Sequence, residues 1–205
     1  RYRPNAAARA LANRRMDTLG VAAVIDGGTL NSYFLEIFNG ILEAAARHDQ
    51  NTTVFALHDW GRDPARLMNL CNGRIDGLIL LAPKLNQETV KLLPEHTPFV
   101  ALHANEPLPN IVNIETDEER GAYEMMRLVI AQGHRRIMHI SGPSHLLAGE
   151  RRLRASTRSL ARDRLSVDEE LIVPVPHLIR ERGREAMQSW LQDHVGAPLP
   201  QAIFC

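Results

Sequence analysis

Polar and aromatic side chains recur directly after the short apolar segments of this 205-residue chain. Asp26 and His103 each follow such a segment, and similar residues occur at His58-Asp59-Trp60, Pro83-Lys84 and Gly142-Pro-Ser-His145. If the apolar segments are parallel strands, these side chains gather at the sheet edge where α/β proteins bind ligands. Carboxylate, imidazole and aromatic groups can hydrogen-bond to small polar molecules or stack on them. The alternative is that loops before helices are polar in any such protein, which would explain part of the pattern.

The chain has no recognisable catalytic or metal-binding signature. Gly27-Gly28 follows the first apolar run, but the G-x-G-x-x-G and GK[ST] patterns of phosphate-binding loops are missing. The nine histidines form no H-x-x-x-H pair, and the spacing of Cys71 and Cys205 does not fit a zinc motif. No serine lies in a G-x-S-x-G segment. We therefore predict a binding function, with no catalytic residue, no metal and no cofactor.

The elements that would position these side chains alternate along the chain. Short apolar runs predict strands, and runs of helical period predict helices between them. The predicted strands cover residues 20–25, 53–57, 77–82, 99–102, 111–114, 136–140, 171–175 and 201–205. The predicted helices cover residues 31–48, 64–71, 87–93, 118–132, 148–162 and 180–194.

This alternation predicts an α/β fold with parallel sheets covered by helices on both faces. A polar connection near residues 103–117 separates two such series, so we expect two Rossmann-like subdomains, 18–116 and 117–205. Pro174 indicates an edge or a bend in its strand. The second subdomain would hold only three strands, so it is either a small variant or incomplete.

Charge and hydropathy exclude several classes of protein. The 24 basic and 24 acidic residues balance, so the chain as a whole is not an electrostatic nucleic-acid binder. No apolar run approaches the ~18 residues of a membrane span, and the first residues lead into no secretion signal. Cys71 and Cys205 lie among apolar residues, which predicts buried free thiols in a reducing compartment. We therefore expect a cytoplasmic location and no membrane.

Residues 1–17 differ from the rest of the chain in charge, because they contain five arginines and only one acidic residue, Asp17. Pro4 and the alanine-rich run after it predict a helix of under three turns, too short to be stable alone. A basic helix that needs a partner surface suggests DNA. The alternative is a solvated or frayed terminal segment.

Segments along almost the whole chain resemble, in order and at matching spacing, the motifs of the lactose-repressor (LacI/GalR) family of transcription regulators. Tyr2-Arg-Pro-Asn-Ala-Ala-Ala-Arg-Ala-Leu11 resembles the R-P-N-x-x-A-R-x-L hinge helix that the family uses to contact DNA. The other matching segments are Thr18-Leu-Gly-Val-Ala-Ala-Val24, Asn31-Ser-Tyr-Phe34 with Gly40-Ile, Arg74-Ile-Asp-Gly-Leu-Ile79, Gly121-Ala-Tyr, Gly133-His-Arg-Arg-Ile137, Ser141-Gly-Pro143, Arg152-Leu153 and Ala202-Ile-Phe-Cys205.

The resemblance implies a periplasmic-binding-protein-like core in which two subdomains surround a cleft for a small effector. Effector binding would control operator DNA binding by a homodimer through the hinge helices. Leu11 matches the leucine that wedges into the minor groove, and Asn5, Ala8 and Arg9 would lie near the groove. The family's helix-turn-helix would precede residue 1, so we expect these 205 residues alone to bind DNA weakly or not at all.

The resemblance also implies effector-binding residues. Tyr33 and Phe34 match an aromatic pair that stacks on sugar or purine rings, and Arg152 matches an arginine that hydrogen-bonds the ligand. Asp117 matches an acid at the start of the second series. The alternatives are a core aromatic residue for Phe34, a surface arginine for Arg152 and a helix N-cap for Asp117.

The chain departs from the family pattern at several of these positions. The proline before the aromatic pair is Ser32, and the frequent Asp-Arg after the fourth strand is His103-Ala104. The Gly-Tyr after the arginine is Ala155-Ser156, and a position that is aromatic in several relatives is Leu178. We therefore expect one aromatic wall in the pocket instead of two. Further ligand and dimer contacts of the family would lie beyond residue 205.

A sugar or sugar derivative is the effector that the family favours, and a nucleoside or purine is the second choice. One rival is a secreted sugar-binding protein of a transporter, which would not need the basic hinge. The other rival is a sugar-processing α/β enzyme, which would need an acid–base pair or metal site that the motifs do not provide.

Overall fold

The computed structural model describes residues 15–25, 32–61, 68–91, 93–106, 108–144 and 146–205. The predicted hinge residues Asn5, Ala8, Arg9 and Leu11 and the predicted site residue Asp26 lie outside the described residues. Of the predicted helix 64–71, residues 68–70 are described and helical. The chain divides into two units between Glu115 and Thr116, whereas the sequence placed the division between residues 116 and 117.

The first unit contains a parallel sheet of five strands in the order β2-β1-β3-β4-β5. Its strands are β1 (Thr18–Val24), β2 (Asn51–Leu57), β3 (Gly77–Leu81), β4 (Phe99–Leu102) and β5 (Val112–Ile114), and its helices include α1 (Ser32–Arg47) and α2 (Gln87–Lys91). Val21 in β1 pairs with Val54 on one side and Ile79 on the other. Because all strands run the same way, the residues that follow them lie along one edge of the sheet.

Strand β1 is apolar on both faces because both faces are covered. Val21 and Ala23 pack with Leu81 against α1, through its residues Phe34, Ile37, Phe38 and Ile41. Ala22 points into the other cluster, which contains Leu80, Leu57 and Trp60. Continuous apolar strands of this kind are typical of parallel sheets. The prediction of a parallel sheet in this unit is confirmed.

The second unit contains three parallel strands in the order β7-β6-β8. Its elements are α3 (Glu118–Ala131), β6 (Ile137–Ser141), α4 (Leu147–Arg162), a 3-10 turn (Glu169–Leu171), β7 (Ile172–Pro174), α5 (Arg180–Asp193) and β8 (Ala202–Phe204). Every residue of β6 is buried. Ile137 packs against α3 and α4, and Met138 packs against Trp190 of α5. Pro174 ends an edge strand, as predicted, so its missing N–H breaks no internal ladder.

Two sequence predictions for the second unit are wrong in detail. Leu171, predicted as the first residue of a strand, belongs to a 3-10 turn, in which Asp168 accepts a hydrogen bond from the Glu170 N–H at 3.1 Å. Cys71 is buried as predicted, but Cys205 is exposed. Within these 205 residues β8 pairs with β6 on one side only, and no described strand covers the Cys205 thiol on the other side.

Gly149 allows α4 to pass close to the loop after β6. A Cβ atom at this position would lie 2.8 Å from the carbonyl oxygen of Pro143 and 3.2 Å from the carbonyl carbon of Gly142. Both are backbone atoms and cannot rotate away. Gly149→Ala is therefore expected to lower the free energy of unfolding by about 1–3 kcal/mol, measured by urea denaturation.

Gly121→Ala is the matched control for this prediction. Gly121 also lies in a helix, but within the described residues a Cβ there would meet no neighbouring atom closer than 4 Å. Alanine favours helix over glycine by about 0.5–1 kcal/mol, so this change is expected to stabilise. Equal effects of the two substitutions would contradict the close approach at Gly149.

Candidate ligand-binding site

Tyr33, Phe34 and His103 form an aromatic cluster in the first unit. Tyr33 lies in the first turn of α1 and His103 directly follows β4. The Tyr33 hydroxyl is hydrogen-bonded to Nε2 of His103, and the two ring centroids lie 5.3 Å apart at 79°. Phe34 contacts the edge of Tyr33 at 5.7 Å and 67°. Tyr33 is 43% exposed, whereas Phe34 also packs on the core beneath α1, so Tyr33 is the more accessible ring of the two.

His103 is held in place by its backbone. Its φ of 53° lies in the left-handed region, which histidine adopts more often than most residues. The His103 N–H donates to the Ile114 carbonyl at 2.9 Å, and the Ala104 N–H donates to Oδ1 of Asn113 at 3.0 Å. These hydrogen bonds fix the turn and direct the imidazole to Tyr33.

Arg152 and Glu118 form an ion pair in the second unit. Nε of Arg152 donates to Oε2 of Glu118 at 2.5 Å, and the side chains are 30% and 13% exposed. The other carboxylate oxygen of Glu118 accepts a hydrogen bond from the Thr116 hydroxyl at 2.6 Å. Glu118 begins α3 and Arg152 lies in the second turn of α4, so the pair joins the two helices.

A buried histidine lies beside this arginine. His139 of β6 is 5% exposed and its Nδ1 is 2.8 Å from Oγ of Ser156, four residues after Arg152 in α4. Since the Ser156 hydroxyl donates to the Leu153 carbonyl at 2.9 Å, its oxygen accepts from Nδ1–H of the neutral imidazole. Burial, and secondarily the positive charge of Arg152, lowers the pKa of His139 from 6.5 to about 4. His139 is therefore uncharged at neutral pH.

Further contacts hold α3 against α4. Glu119 accepts hydrogen bonds from Arg154 and Arg158, each at 2.8 Å. The hydrogen bond from Arg154 is the largest cause that lowers the pKa of Glu119. Arg158 also lies 4.9 Å from the ring centre of Tyr123, and Arg162 donates a hydrogen bond to the Tyr123 hydroxyl. The Arg152–Glu118 pair thus lies at one end of a longer seam between the two helices.

The predicted site residues have different surroundings. Tyr33, Phe34 and His103 come together as described. Asp117 is the N-cap of α3, where its Oδ1 accepts from the Arg120 N–H at 3.0 Å, which matches the alternative considered for it. Arg152 forms the ion pair with Glu118 described above.

Sequence reasoning missed three residues around Arg152, namely Glu118, His139 and Ser156. Acidic residues 117–119 are typical of any helix N-terminus, and no motif connects Glu118 to an arginine 34 positions away. His139 carried a weak signal, because it is a polar residue inside an apolar strand segment.

The second unit also has a cavity of about 260 Å³ at the amino end of β6, lined among others by Arg136, His139, Ser156, Asp168 and Gln201. Its polar groups are largely paired with each other. Arg136 forms an ion pair with Asp168 at 2.8 Å, and Oε1 of Gln201 accepts from the Arg136 N–H at 3.0 Å. Across the described ranges, no three His, Cys, Asp or Glu side chains lie close enough together to hold a metal ion.

Comparison with solved structures establishes the class of fold. The chain is similar to the lac repressor dimer bound to operator and the anti-inducer ONPF, with a TM-score of 0.79, 20% identity, and coverage of 99% of this chain and 69% of that chain. It is also similar to the transcriptional regulator CelR in complex with cellobiose, with a TM-score of 0.75, 22% identity, and coverage of 96% and 62%. The fold is therefore that of a periplasmic-binding-protein-like core, as expected from the sequence.

Residues 20–205 match the family described as periplasmic binding proteins and sugar binding domain of LacI family, and the chain belongs to this family. Among curated relatives, the HTH-type transcriptional regulator AglR of Rhizobium meliloti (strain 1021) is 28% identical over 207 residues. That alignment covers 100% of this chain and 57% of AglR. The chain thus spans less than two thirds of the length of this relative. The family membership inferred from the motifs is confirmed.

Proposed function

We propose that this chain is the effector-binding core of a ligand-responsive transcription regulator, a repressor, and that the effector is a sugar or sugar derivative. The observation that carries the proposal is the cluster of Tyr33 and His103 at the carboxyl edge of the first sheet. An aromatic ring can pack on the apolar C–H face of a sugar, and an imidazole can exchange hydrogen bonds with its hydroxyls. The family description, which includes sugar-binding domains, supports this ligand class.

Arg152 supplies hydrogen-bond donors of a kind that suits vicinal hydroxyls, because a guanidinium presents several N–H groups in a fixed plane. The effector-binding residues that we propose are thus Tyr33, Phe34 and His103 in the first unit and Arg152 in the second. Asp117 and Asp26 complete the set that the sequence predicts; Asp117 would act through the oxygen that does not cap α3.

A nucleoside or purine is the second ligand class, because Tyr33 would stack equally well on a flat base. A sugar-binding protein of a transporter shares this fold and remains the main functional alternative. CelR and AglR are regulators by name, which favours regulation over transport. It also favours binding over catalysis; turnover of a sugar phosphate or nucleoside by the purified chain would contradict a purely binding role.

We propose further that the regulator acts in the cytoplasm as a homodimer on operator DNA. The lac repressor structure contains a dimer on its operator, which supports this assembly here. The predicted hinge residues Asn5, Ala8, Arg9 and Leu11 would contact DNA, and effector binding would alter their affinity through a coupled equilibrium. No helix in the described part of the chain is long and apolar enough to cross a bilayer.

A thermal-shift screen of sugars, sugar phosphates, nucleosides and purines tests the effector proposal. A ligand at about 100 times its dissociation constant stabilises the native state by about 2.7 kcal/mol, which raises the melting temperature by several degrees. We expect at least one sugar to produce this rise. If only nucleosides or purines do so, the second ligand class replaces the first. If no compound does, the effector proposal is wrong.

A further inference from the structure

The Arg152–Glu118 pair presents no net charge to a ligand, because the carboxylate lies at contact distance from the guanidinium. The Nε–Oε2 distance is 2.5 Å, and the Glu118 side chain is only 13% exposed. A carboxylate so shielded from water interacts strongly with any charge placed beside it. An anion that approaches Arg152 therefore meets both the attraction of the guanidinium and the repulsion of the carboxylate.

Four described neighbours of this pair on α3, α4 and β6 contribute no unpaired positive charge. Asp117 adds a carboxylate next to Glu118 in the chain. Arg154 and Arg158, on the same helix as Arg152, are paired with Glu119 at 2.8 Å each. His139 beside Arg152 is neutral, because its pKa is about 4. Among these described neighbours, the charge beside the Arg152–Glu118 pair is thus balanced or negative.

Glu118 is also fixed where it is. Its Oε1 accepts a hydrogen bond from the Thr116 hydroxyl at 2.6 Å while its Oε2 contacts Arg152. The contacts of Glu119 with Arg154 and Arg158 hold α3 beside α4. To admit an anion, Glu118 would have to leave Arg152 and lose these hydrogen bonds. An uncharged hydroxyl ligand avoids this cost, because it can accept from the guanidinium with the pair intact.

We propose that Glu118 is a specificity-determining residue that restricts the ligand of this site to uncharged polar molecules and excludes phosphorylated or carboxylated ones. This inference rests on the proposed function, since it concerns the ligand that Arg152 binds. It narrows the effector from sugars in general to neutral sugars.

The test compares Glu118→Gln with Glu124→Gln in the same 205-residue chain. The glutamine side chain keeps the shape of glutamate and removes its charge. Glu124 is the matched control, because it lies on α3 and pairs with an arginine, Arg120 at 2.9 Å, but is 62% exposed. Each protein is titrated in phosphate-free buffer with inorganic phosphate, and with neutral sugars and their 6-phosphates as matched pairs, glucose and glucose 6-phosphate among them.

Three results are expected. The unmodified chain binds a neutral sugar more tightly than the phosphate ester of the same sugar. Glu118→Gln increases the affinity for inorganic phosphate at least about tenfold, or 1.4 kcal/mol, whereas Glu124→Gln leaves it unchanged. Adding Arg152→Ala to Glu118→Gln removes this gain, which a general loss of negative charge would not predict.

The inference is wrong if the unmodified chain prefers a sugar phosphate to its neutral partner. It is also wrong if phosphate binds the Glu118 and Glu124 variants equally. The phosphate titrations decide this even if no sugar binds, so failure of the sugar proposal and failure of the Glu118 inference are distinguishable. If circular dichroism shows that Glu118→Gln is unfolded, the preference of the unmodified chain decides alone.

Discussion

Replacing Arg152 with alanine is expected to remove most of the stabilisation that a bound sugar gives to this chain. Hydrogen bonds to a charged group contribute about 1.5–3 kcal/mol each, so losing the guanidinium should weaken binding roughly a hundredfold. At a ligand concentration about 100 times the original dissociation constant, the stabilisation would fall from about 2.7 to about 0.4 kcal/mol. The measurement is the difference in melting temperature with and without the ligand.

The melting temperature of Arg152→Ala must also be measured without ligand. Arg152→Ala removes the charged hydrogen bond between the guanidinium and the Glu118 carboxylate, which is 13% exposed, and the loss of such a hydrogen bond costs about 1.5–3 kcal/mol. The variant should therefore melt earlier than the original chain but still cooperatively. For this reason the ligand-induced difference, and not the absolute melting temperature, tests the role of Arg152.

Arg158→Ala is the matched control for Arg152→Ala. Arg158 is on the same helix and also forms an ion pair, with Glu119 at 2.8 Å, but its side chain is 56% exposed. Exposed ion pairs and exposed cation–π contacts each contribute about 1 kcal/mol or less, so the baseline should fall only slightly and the ligand-induced shift should be nearly unchanged. An undiminished shift in Arg152→Ala would remove this arginine from the site.

The stability of the second unit is expected to fall at acid pH because of His139. The folded state holds this imidazole neutral, with a pKa of about 4 instead of 6.5, mainly through burial. Below pH 6.5 the imidazole of His139 binds a proton in the unfolded chain but not yet in the folded chain, so acid favours unfolding. The stabilisation is therefore complete above about pH 7 and is lost as the pH falls toward 4. Its full size is about 3 kcal/mol.

His139→Asn provides the comparison for this acid effect. Asparagine has an amide nitrogen near the position of Nδ1 and can still donate to Ser156, but it does not titrate. Urea denaturation of both proteins at pH 7.5, 6.0 and 5.0 should show a smaller acid loss in the variant. His96→Asn, at an exposed position, should keep the original pH dependence. Parallel curves for His139→Asn and the original chain would contradict the assignment to His139.

Both sheets are predictable from the sequence because their central strands are covered on two faces. A strand such as β6, buried along its whole length, is apolar except for His139 and Ser141, and this distinguishes it from the neighbouring helices. The Tyr33–His103 contact is also partly predictable, since both residues belong to elements that reach the carboxyl edge of one sheet. The family motifs add Arg152, which composition and periodicity do not identify.

The surroundings of Arg152 are not predictable in the same way. Glu118 contacts it through packing of α3 on α4, and sequence spacing does not report which side chains meet across two helices. The sequence shows His139 only as one residue of a strand, because its hydrogen-bond partner Ser156 lies on a different element. Leu171 and Cys205 were assigned from an apolar neighbourhood, but a local turn and an edge strand determine their surroundings.

The left-handed backbone at His103 limits how this site can change during evolution. Glycine, asparagine and aspartate tolerate a φ of 53°, but glycine lacks a side chain and the other two are too short to replace the imidazole beside Tyr33. Longer residues with the reach would strain the turn. Histidine therefore satisfies two requirements that few other residues meet together, so the backbone leaves a wider choice of residue at Tyr33, in a regular helix, than at His103.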